Sequence, residues 1–157
     1  MSSDVLRLYR RCGSTSLGRW LFSRLVCWKA PYFSSVSPRI VALAPGRGEA
    51  RIAHRRRVSN HLGTVHAIAL CNLAEFIGGL TTDVSIPPSM RWIPRGMRVE
   101  YLRKARGTMH AVARPAHAPL PAAEGYELPV HVEIADADGR SVFRATISMW
   151  VSPRPVA

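Results

Sequence analysis

A chain of 157 residues has the size of one domain with its own core, and its 47% share of hydrophobic residues excludes intrinsic disorder. No run of 18 uncharged apolar residues occurs, so no membrane-spanning helix is expected. The formal net charge is +12, carried almost entirely by arginine, because Lys29 and Lys104 are the only lysines. Such a surface attracts phosphates, although a GC-rich genome that favours arginine codons explains the composition equally well.

The first predicted element is a basic, amphipathic helix within residues 4–29. Targeting peptides and helices that lie on membrane surfaces show the same pattern, but a clean hydrophobic region with a small-residue cleavage site is missing. We therefore expect a helix that packs on the domain. The helix and a Ser/Pro-rich linker form residues 1–37, and residues 38–157 form the main domain. The residues at helical spacing are Leu17, Trp20, Leu21, Arg24, Leu25 and Trp28.

Two short strands follow the linker. Residues 39–44 and 49–57 alternate with period two and flank a Pro-Gly-Arg-Gly turn, which predicts a hairpin. The run of three arginines at 55–57 continues the second strand. Alternate members should point to opposite faces, so a solvated strand end is favoured over a nucleic-acid patch.

A long helix is predicted next, over residues 65–80. Its apolar residues fall on every side of the helical wheel, which predicts burial all round. Glu75 is its only charge, and a carboxylate buried there without a partner costs free energy. The polar, turn-forming loop of residues 60–67 opens the helix. A polar loop, a helix N-terminus and an acid inside the helix together indicate a site.

Four further strands are predicted after the helix. Pro87, Pro88 and Pro94 indicate a loop that carries Trp92. Strands are expected at residues 97–102 and 108–114, and two more have apolar residues on one face. The pair Asp138-Gly139 predicts a type I′ hairpin turn between the last two. The inward residues of those two strands are Val130, Val132, Ile134, Phe143, Ala145, Ile147, Met149 and Val151.

The predicted order is strand, strand, long buried helix and four strands. One curved antiparallel sheet covers only part of a helix, so a second subunit should cover the rest. The expected class is therefore α+β, with the hotdog fold of a sheet wrapped around a central helix, and an extra helix at the N-terminus.

The segment Asn60-His61-Leu62-Gly63-Thr64-Val65-His66-Ala67, followed by Glu75, resembles the active-site segment of PaaI-type hotdog acyl-CoA thioesterases. An uncharacterised branch of that superfamily, a domain-of-unknown-function group, is the most similar. Residues 30–33, 90–94 and 101–105 contribute to the resemblance, which extends from about residue 15 to residue 152.

The resemblance implies a role for each site residue. Glu75 takes the carboxylate role, Asn60 orients the attacking water, and the backbone N–H of Ala67 polarises the thioester carbonyl beside His66. Ala67 stands where these enzymes usually have glycine, and its methyl group narrows the approach to the carbonyl. Coenzyme A enters as part of the substrate, and no separate cofactor is implied.

The residues support this chemistry on physical grounds. The N-terminus of the helix, from Thr64 to Ala67, should offer free N–H groups to a developing oxyanion, and Glu75 can act as base or as a nucleophile that forms an anhydride. Ala67 and Glu75 are eight residues apart, roughly 12 Å along a helix axis. The site should therefore combine Asn60, His66 and Ala67 of one subunit with Glu75 of another, in a homodimer or homotetramer.

Each residue also has a purely structural interpretation. Asn60 can close a turn, His66 can be a satisfied first-turn histidine, and Glu75 can pair with a buried arginine. Cys71 is interpreted as a core residue rather than a nucleophile. A metal site is not expected, because His61, His66 and Glu75 lack the HExxH spacing.

Partners and location follow from the remaining residues. Arg103, Lys104 and Arg106 are candidates for the phosphates of coenzyme A, and a solvated strand end explains them equally well. Three scattered cysteines without a CxxC motif indicate a reducing compartment and a cytoplasmic protein.

Hydrolysis of an acyl-CoA or a related acyl thioester is the expected function. A non-catalytic hotdog protein that binds acyl-CoA or acyl chains is the alternative. Nucleic-acid binding ranks last, because the interleaved aromatic residues of a single-strand platform are missing.

Overall fold

The computed structural model describes residues 4–155, which form three α-helices, two short 3₁₀ helices and six strands. The helices are α1 (Asp4–Cys12), α2 (Ser16–Lys29) and α3 (Ala67–Ser85), and the 3₁₀ helices span Pro31–Ser35 and Arg56–Val58. The strands are β1 (Arg39–Ala44), β2 (Arg47–Ile52), β3 (Met90–Tyr101), β4 (Met109–Pro115), β5 (Tyr126–Ala135) and β6 (Ser141–Pro153).

All six strands form one antiparallel sheet in the order β1-β2-β4-β5-β6-β3. Helix α3 lies across one face of the sheet and contacts every strand. The element order and the sheet wrapped around the helix confirm the predicted α+β class and hotdog fold.

The core lies between α3 and the inward face of the sheet. The inward residues predicted for β5 and β6 are all buried, as are Leu73 and Ile77 of the helix. Strand periodicity alone identified this face, because successive side chains of a strand point to opposite sides.

Two glycines let the helix approach the sheet closely. A Cβ atom on Gly48 of β2 would lie 2.1 Å from Thr81 Oγ1 and 2.9 Å from Ile77 Cδ1. On Gly78 of α3 it would lie 2.6 Å from Ile147 Cδ1. Larger residues at either position would push α3 away from the strands.

Helix α3 begins and ends later than the sequence predicted. His66 is the N-cap, so the first helical residue is Ala67 rather than Val65. The helix continues five residues beyond Leu80 to Ser85. It ends where Ile86 takes an extended conformation, with φ −72° and ψ 151°, because Pro87 follows and a residue before proline avoids the helical region.

Helix α3 is not buried on all sides within the single chain, and its complete burial by a second subunit stays a prediction. Ile68 is 55% exposed and Glu75 is exposed, because the sheet covers one side of the helix and leaves this face open. By length and composition α3 could cross a membrane, but 67% of its most apolar window is buried inside the protein. A core helix meets the same criteria.

The N-terminal segment forms two helices rather than one. The break follows Cys12, and the Thr15 hydroxyl caps α2 by accepting from the Gly18 N–H at 3.0 Å. Leu6 and Phe22 are buried in the same core as the sheet residues. The Ser23 hydroxyl of α2 accepts a hydrogen bond from the Ile40 N–H of β1 at 2.9 Å. Both helices therefore pack on the sheet domain.

Three local predictions need correction. Strand β2 ends at Ile52, so the arginines at 55–57 lie in irregular backbone and a 3₁₀ turn rather than a strand. Strand β3 starts at Met90 and includes Pro94, which a sheet tolerates because β3 is an edge strand and has a bulge there. Only Gly139 of the 138–139 pair has a positive φ, so the hairpin is a longer turn closed by Gly139 N–H to Asp136 O at 3.0 Å.

The close packing of α3 on β2 can be tested at Gly48. Gly48→Ala should lower the free energy of unfolding by about 1–3 kcal/mol, the usual cost of overpacking a core. Gly96→Ala is the control, because a methyl group added at Gly96 in β3 would have no atom within 4 Å. Denaturant unfolding of both variants measures the difference, and equal stability would contradict the close approach.

Candidate active site

The loop before α3 is organised by Asn60. Its side-chain oxygen accepts three hydrogen bonds, from the N–H groups of Leu62 (3.0 Å) and Thr64 (3.1 Å) and from the Thr64 hydroxyl (3.1 Å). Gly63 has a φ of +67°, which completes the turn. Among residues 4–155 the side-chain nitrogen of Asn60 has no acceptor. The oxygen therefore shapes the loop, and the nitrogen is available to a ligand.

His66 caps the start of α3. Its Nδ1 atom accepts from the Ile68 N–H at 3.0 Å, so this nitrogen carries no proton. In the neutral ring the proton is then on Nε2. His66 is exposed, and within residues 4–155 this N–H donor, which points away from the helix cap, has no acceptor.

One backbone N–H remains free at the helix start. The N–H groups of Thr64, Val65 and His66 donate to Asn60 Oδ1 (3.1 Å), Ala105 O (2.8 Å) and Val58 O (2.8 Å). The Ala67 N–H has no acceptor among the described residues. The expectation that the whole Thr64–Ala67 segment offers donors was therefore too broad, because neighbouring loops use three of the four.

Glu75 is exposed on the open face of α3, not buried. No cation or hydrogen-bond donor contacts its carboxylate within residues 4–155. The alternative interpretation, a buried ion pair between Glu75 and an arginine, is therefore wrong for the single chain. A charged group in this position is hydrated in the single chain. It becomes enclosed only if another molecule covers this face.

Cys71 lies one helical turn before Glu75 and is half-buried rather than a full core residue. Its Sγ atom is 3.2 Å from the hydroxyl oxygen of Tyr101, at the end of β3. This hydrogen bond, together with burial, raises the pKa of Tyr101 to about 12. The contact joins α3 to the edge strand, and the sequence did not single out Tyr101 as a partner.

The structure brings Asn60, His66 and Ala67 together at one end of α3, whereas Glu75 is eight residues further along. The rise of a helix makes this roughly 12 Å. Arg103, Lys104 and Arg106 are exposed on the loop after β3, and the Val65 N–H to Ala105 O bond holds that loop beside the start of α3.

An apolar groove of about 420 Å³ lies between the N-terminal helices, α3 and β3, with Glu75 among its lining residues. Gly79 makes room for Trp92, since a Cβ atom there would lie 2.8 Å from Trp92 Cη2. Trp92 Nε1 donates to Asp83 Oδ1 at 3.3 Å, which fixes the ring. The sequence missed this groove because its apolar lining comes from separate elements: Val26, Phe33, Phe76, Leu80 and Trp92.

Comparisons with known proteins support the fold and the family. A crystal structure of the structural-genomics protein APC5556 is 43% identical, with a TM-score of 0.81 over 96% of this chain and 98% of that one. Thioesterase HI1161 from Haemophilus influenzae is 18% identical, with a TM-score of 0.68 over 78% of this chain and 82% of that one. A mutant of thioesterase PA1618 from Pseudomonas aeruginosa is also 18% identical, with a TM-score of 0.68 over 98% and 97%.

The two thioesterase structures are too distant in sequence to show more than a shared fold. No curated protein matches the chain significantly. Residues 18–151 match the family DUF4442, described as a domain of unknown function. Because this match covers most of the chain, the protein belongs to the DUF4442 family, and it has the hotdog fold.

Proposed function

We propose that the protein hydrolyses an acyl thioester, with acyl-CoA as the substrate. The observation that carries the proposal is that two groups of α3, the Ala67 N–H and the Glu75 carboxylate, have no partner within residues 4–155. An N–H donor and a carboxylate base are the two groups that thioester hydrolysis needs. The structural likeness to proteins named thioesterases supports the same reaction class.

The proposed site forms between two subunits of a homodimer. Strand β3 is an edge strand of twelve residues, and its Ile93 and Tyr101 are 59% and 50% exposed. A long edge with apolar side chains favours pairing with another strand. A twofold contact there would set the α3 helices side by side and bring Glu75 of the partner subunit to Ala67. Pairing of two such dimers would give a homotetramer.

In the proposed reaction, the Glu75 carboxylate takes a proton from water while the water oxygen bonds to the carbonyl carbon. The Ala67 N–H and the positive end of α3 stabilise the oxyanion, and the His66 Nε2–H lies beside it. The carbon–sulfur bond then breaks, and the thiolate takes the proton that Glu75 holds. The products are a carboxylic acid and a thiol.

Two groups have further roles in this scheme. The free side-chain nitrogen of Asn60 orients the water, since its oxygen is already used by the loop. Direct attack by Glu75 on the carbonyl, which forms an anhydride that water then cleaves, is the alternative route. Both routes require the carboxylate and the Ala67 N–H.

The acyl chain is proposed to lie in the groove beside Glu75. Its floor and walls are apolar, and Lys29 and Asp83 are the other charged residues of the lining. An acyl chain gains free energy for each methylene group that leaves water. The groove therefore supports a substrate with an extended acyl chain.

The phosphates of coenzyme A are assigned to Arg103, Lys104 and Arg106. The loop that carries them is held beside the start of α3 by the Val65–Ala105 hydrogen bond. Arg103 also donates to Ser141 O at 2.7 Å, which orders the loop. The three free cysteines support a cytoplasmic location. A non-catalytic acyl-CoA-binding protein is the second candidate, favoured by Ala67 in place of the usual glycine.

Glu75→Gln tests the base. The variant should keep the melting temperature of the original chain, because Glu75 is exposed and has no partner within residues 4–155. Hydrolysis of acyl-CoA should fall by about 10²-fold or more, the scale of general-base loss. Glu124→Gln, an exposed glutamate between β4 and β5, is the control. Undiminished hydrolysis by Glu75→Gln, followed with a thiol reagent, would favour the binding protein.

Two variants separate the structural and catalytic roles of Asn60. Asn60→Ala removes an acceptor of three hydrogen bonds and should cost about 1–3 kcal/mol of stability. Asn60→Asp keeps the oxygen acceptor and should retain the melting temperature, while it loses the N–H₂ donor and with it most of the turnover. If Asn60→Asp hydrolyses at the original rate, Asn60 only shapes the loop.

Val26→Phe tests the acyl groove. In the original chain, kcat/KM should rise by about fourfold per methylene group until the groove is filled. The larger side chain should end this rise at a shorter acyl chain and leave acetyl-CoA hydrolysis unchanged. Leu25→Phe, on the exposed side of the same helix, is the matched control. The idea fails if Val26→Phe and Leu25→Phe give the same chain-length profile.

A further inference from the structure

Helix α2 is apolar on two opposite sides. Its inner side, with Phe22 and Cys27, is buried in the core. Its outer side carries large apolar residues at helical spacing, with Arg24 among them. We call this the outer face of α2. Its apolar residues and their exposed fractions are Leu17 65%, Trp20 39%, Leu21 52%, Leu25 45% and Trp28 80%.

Five large apolar side chains on one exposed helix face are unusual for a protein surface that contacts only water. Contiguous apolar patches of this kind mark sites of interaction with a protein, a ligand or a membrane. The outer face of α2 is such a patch.

The segment that carries this face is strongly basic. From Val5 to Gly48 the sequence contains no aspartate or glutamate, and it contains eight arginines and lysines. Arg10, Arg11, Arg24 and Lys29 are exposed on α1 and α2. The face therefore combines apolar residues with cations. Glu75 and Asp83 lie outside this segment, in the groove that Lys29 also lines.

We propose that the outer face of α2 docks the protein on an anionic lipid bilayer. Interfacial helices have this composition, with leucine and tryptophan in the headgroup region and arginine or lysine near the lipid phosphates. Trp20 and Trp28 are of a residue type that favours the membrane–water interface. The inference rests on α2 alone and does not depend on thioester hydrolysis.

The charge pattern favours a lipid surface over a second copy of the chain. A twofold contact between two outer faces would bring like charges together, because each copy presents Arg24 and Lys29. An anionic bilayer instead neutralises these charges. Each arginine or lysine near the surface raises the binding constant by about fivefold.

The test is co-sedimentation of the full-length protein with vesicles. The protein should bind vesicles that contain one-third phosphatidylglycerol in phosphatidylcholine, and bind pure phosphatidylcholine at least tenfold more weakly. Leu21→Ser/Leu25→Ser should weaken binding to the anionic vesicles by more than tenfold, since less apolar surface leaves water. Leu62→Ser/Leu120→Ser is the matched control, because these leucines are 59% and 67% exposed elsewhere on the surface. It should bind like the original protein.

Arg24→Glu provides a second variant that keeps the apolar residues and reverses one charge. It should reduce binding to anionic vesicles by at least fivefold. Equal binding of neutral and anionic vesicles, or unchanged binding by both α2 variants, would overturn the proposal. Absence of binding to anionic vesicles would also overturn it. If Leu21→Ser/Leu25→Ser then showed a lower oligomeric state in analytical ultracentrifugation, the face would be assigned to a second copy of the chain.

Discussion

The structure depends on one geometric constraint: a single sheet covers only one side of the long apolar helix α3. Gly48 and Gly78 allow that side to pack at close range, because a methyl group at either position would meet α3 or β6 side chains. The opposite side is partly covered by α1 and the 3₁₀ helix Pro31–Ser35. What remains open carries Ile68, Cys71 and Glu75, so the candidate site lies where the fold leaves its central helix uncovered.

At the start of α3, too, one group is left without a partner. A helix begins with N–H groups that have no partner within the helix, and this chain satisfies those around the start with the Asn60 and His66 side chains and nearby carbonyl groups. The Ala67 N–H is left without an acceptor in the described chain. A single free donor at the positive end of a helix is well suited to a developing negative charge.

The sequence predicted much of the fold because periodicity reports which residues face a core. β1, the inward faces of β5 and β6 and the strand–helix order were all confirmed. It failed where tertiary context decides the outcome. Glu75 is exposed in the single chain, because a helical wheel shows which residues are apolar and not which side the sheet covers. The start of β3 was missed because Pro94 suggests a loop, although an edge strand tolerates it.

The role of the candidate site residues stays a prediction. The motif located Asn60, His66, Ala67 and Glu75, but the sequence did not show that the Asn60 oxygen and three of the four N–H groups are already used. The groove and the Cys71–Tyr101 contact join residues from distant parts of the chain. Such contacts have no local sequence signal, so the sequence did not reveal them.

In the proposed dimer each site takes its donor from one subunit and its base from the other. Ala67→Pro removes the donor with little disturbance, because proline is favoured at the first helical position and His66 already has the extended conformation that precedes it. Ala67→Pro and Glu75→Gln should each be inactive. When they are unfolded together and refolded as a mixture, half of the dimers are hybrids with one intact site, so about a quarter of the original activity should return. No recovery in a mixture that contains hybrid dimers, verified by tag-based capture, would contradict the shared site.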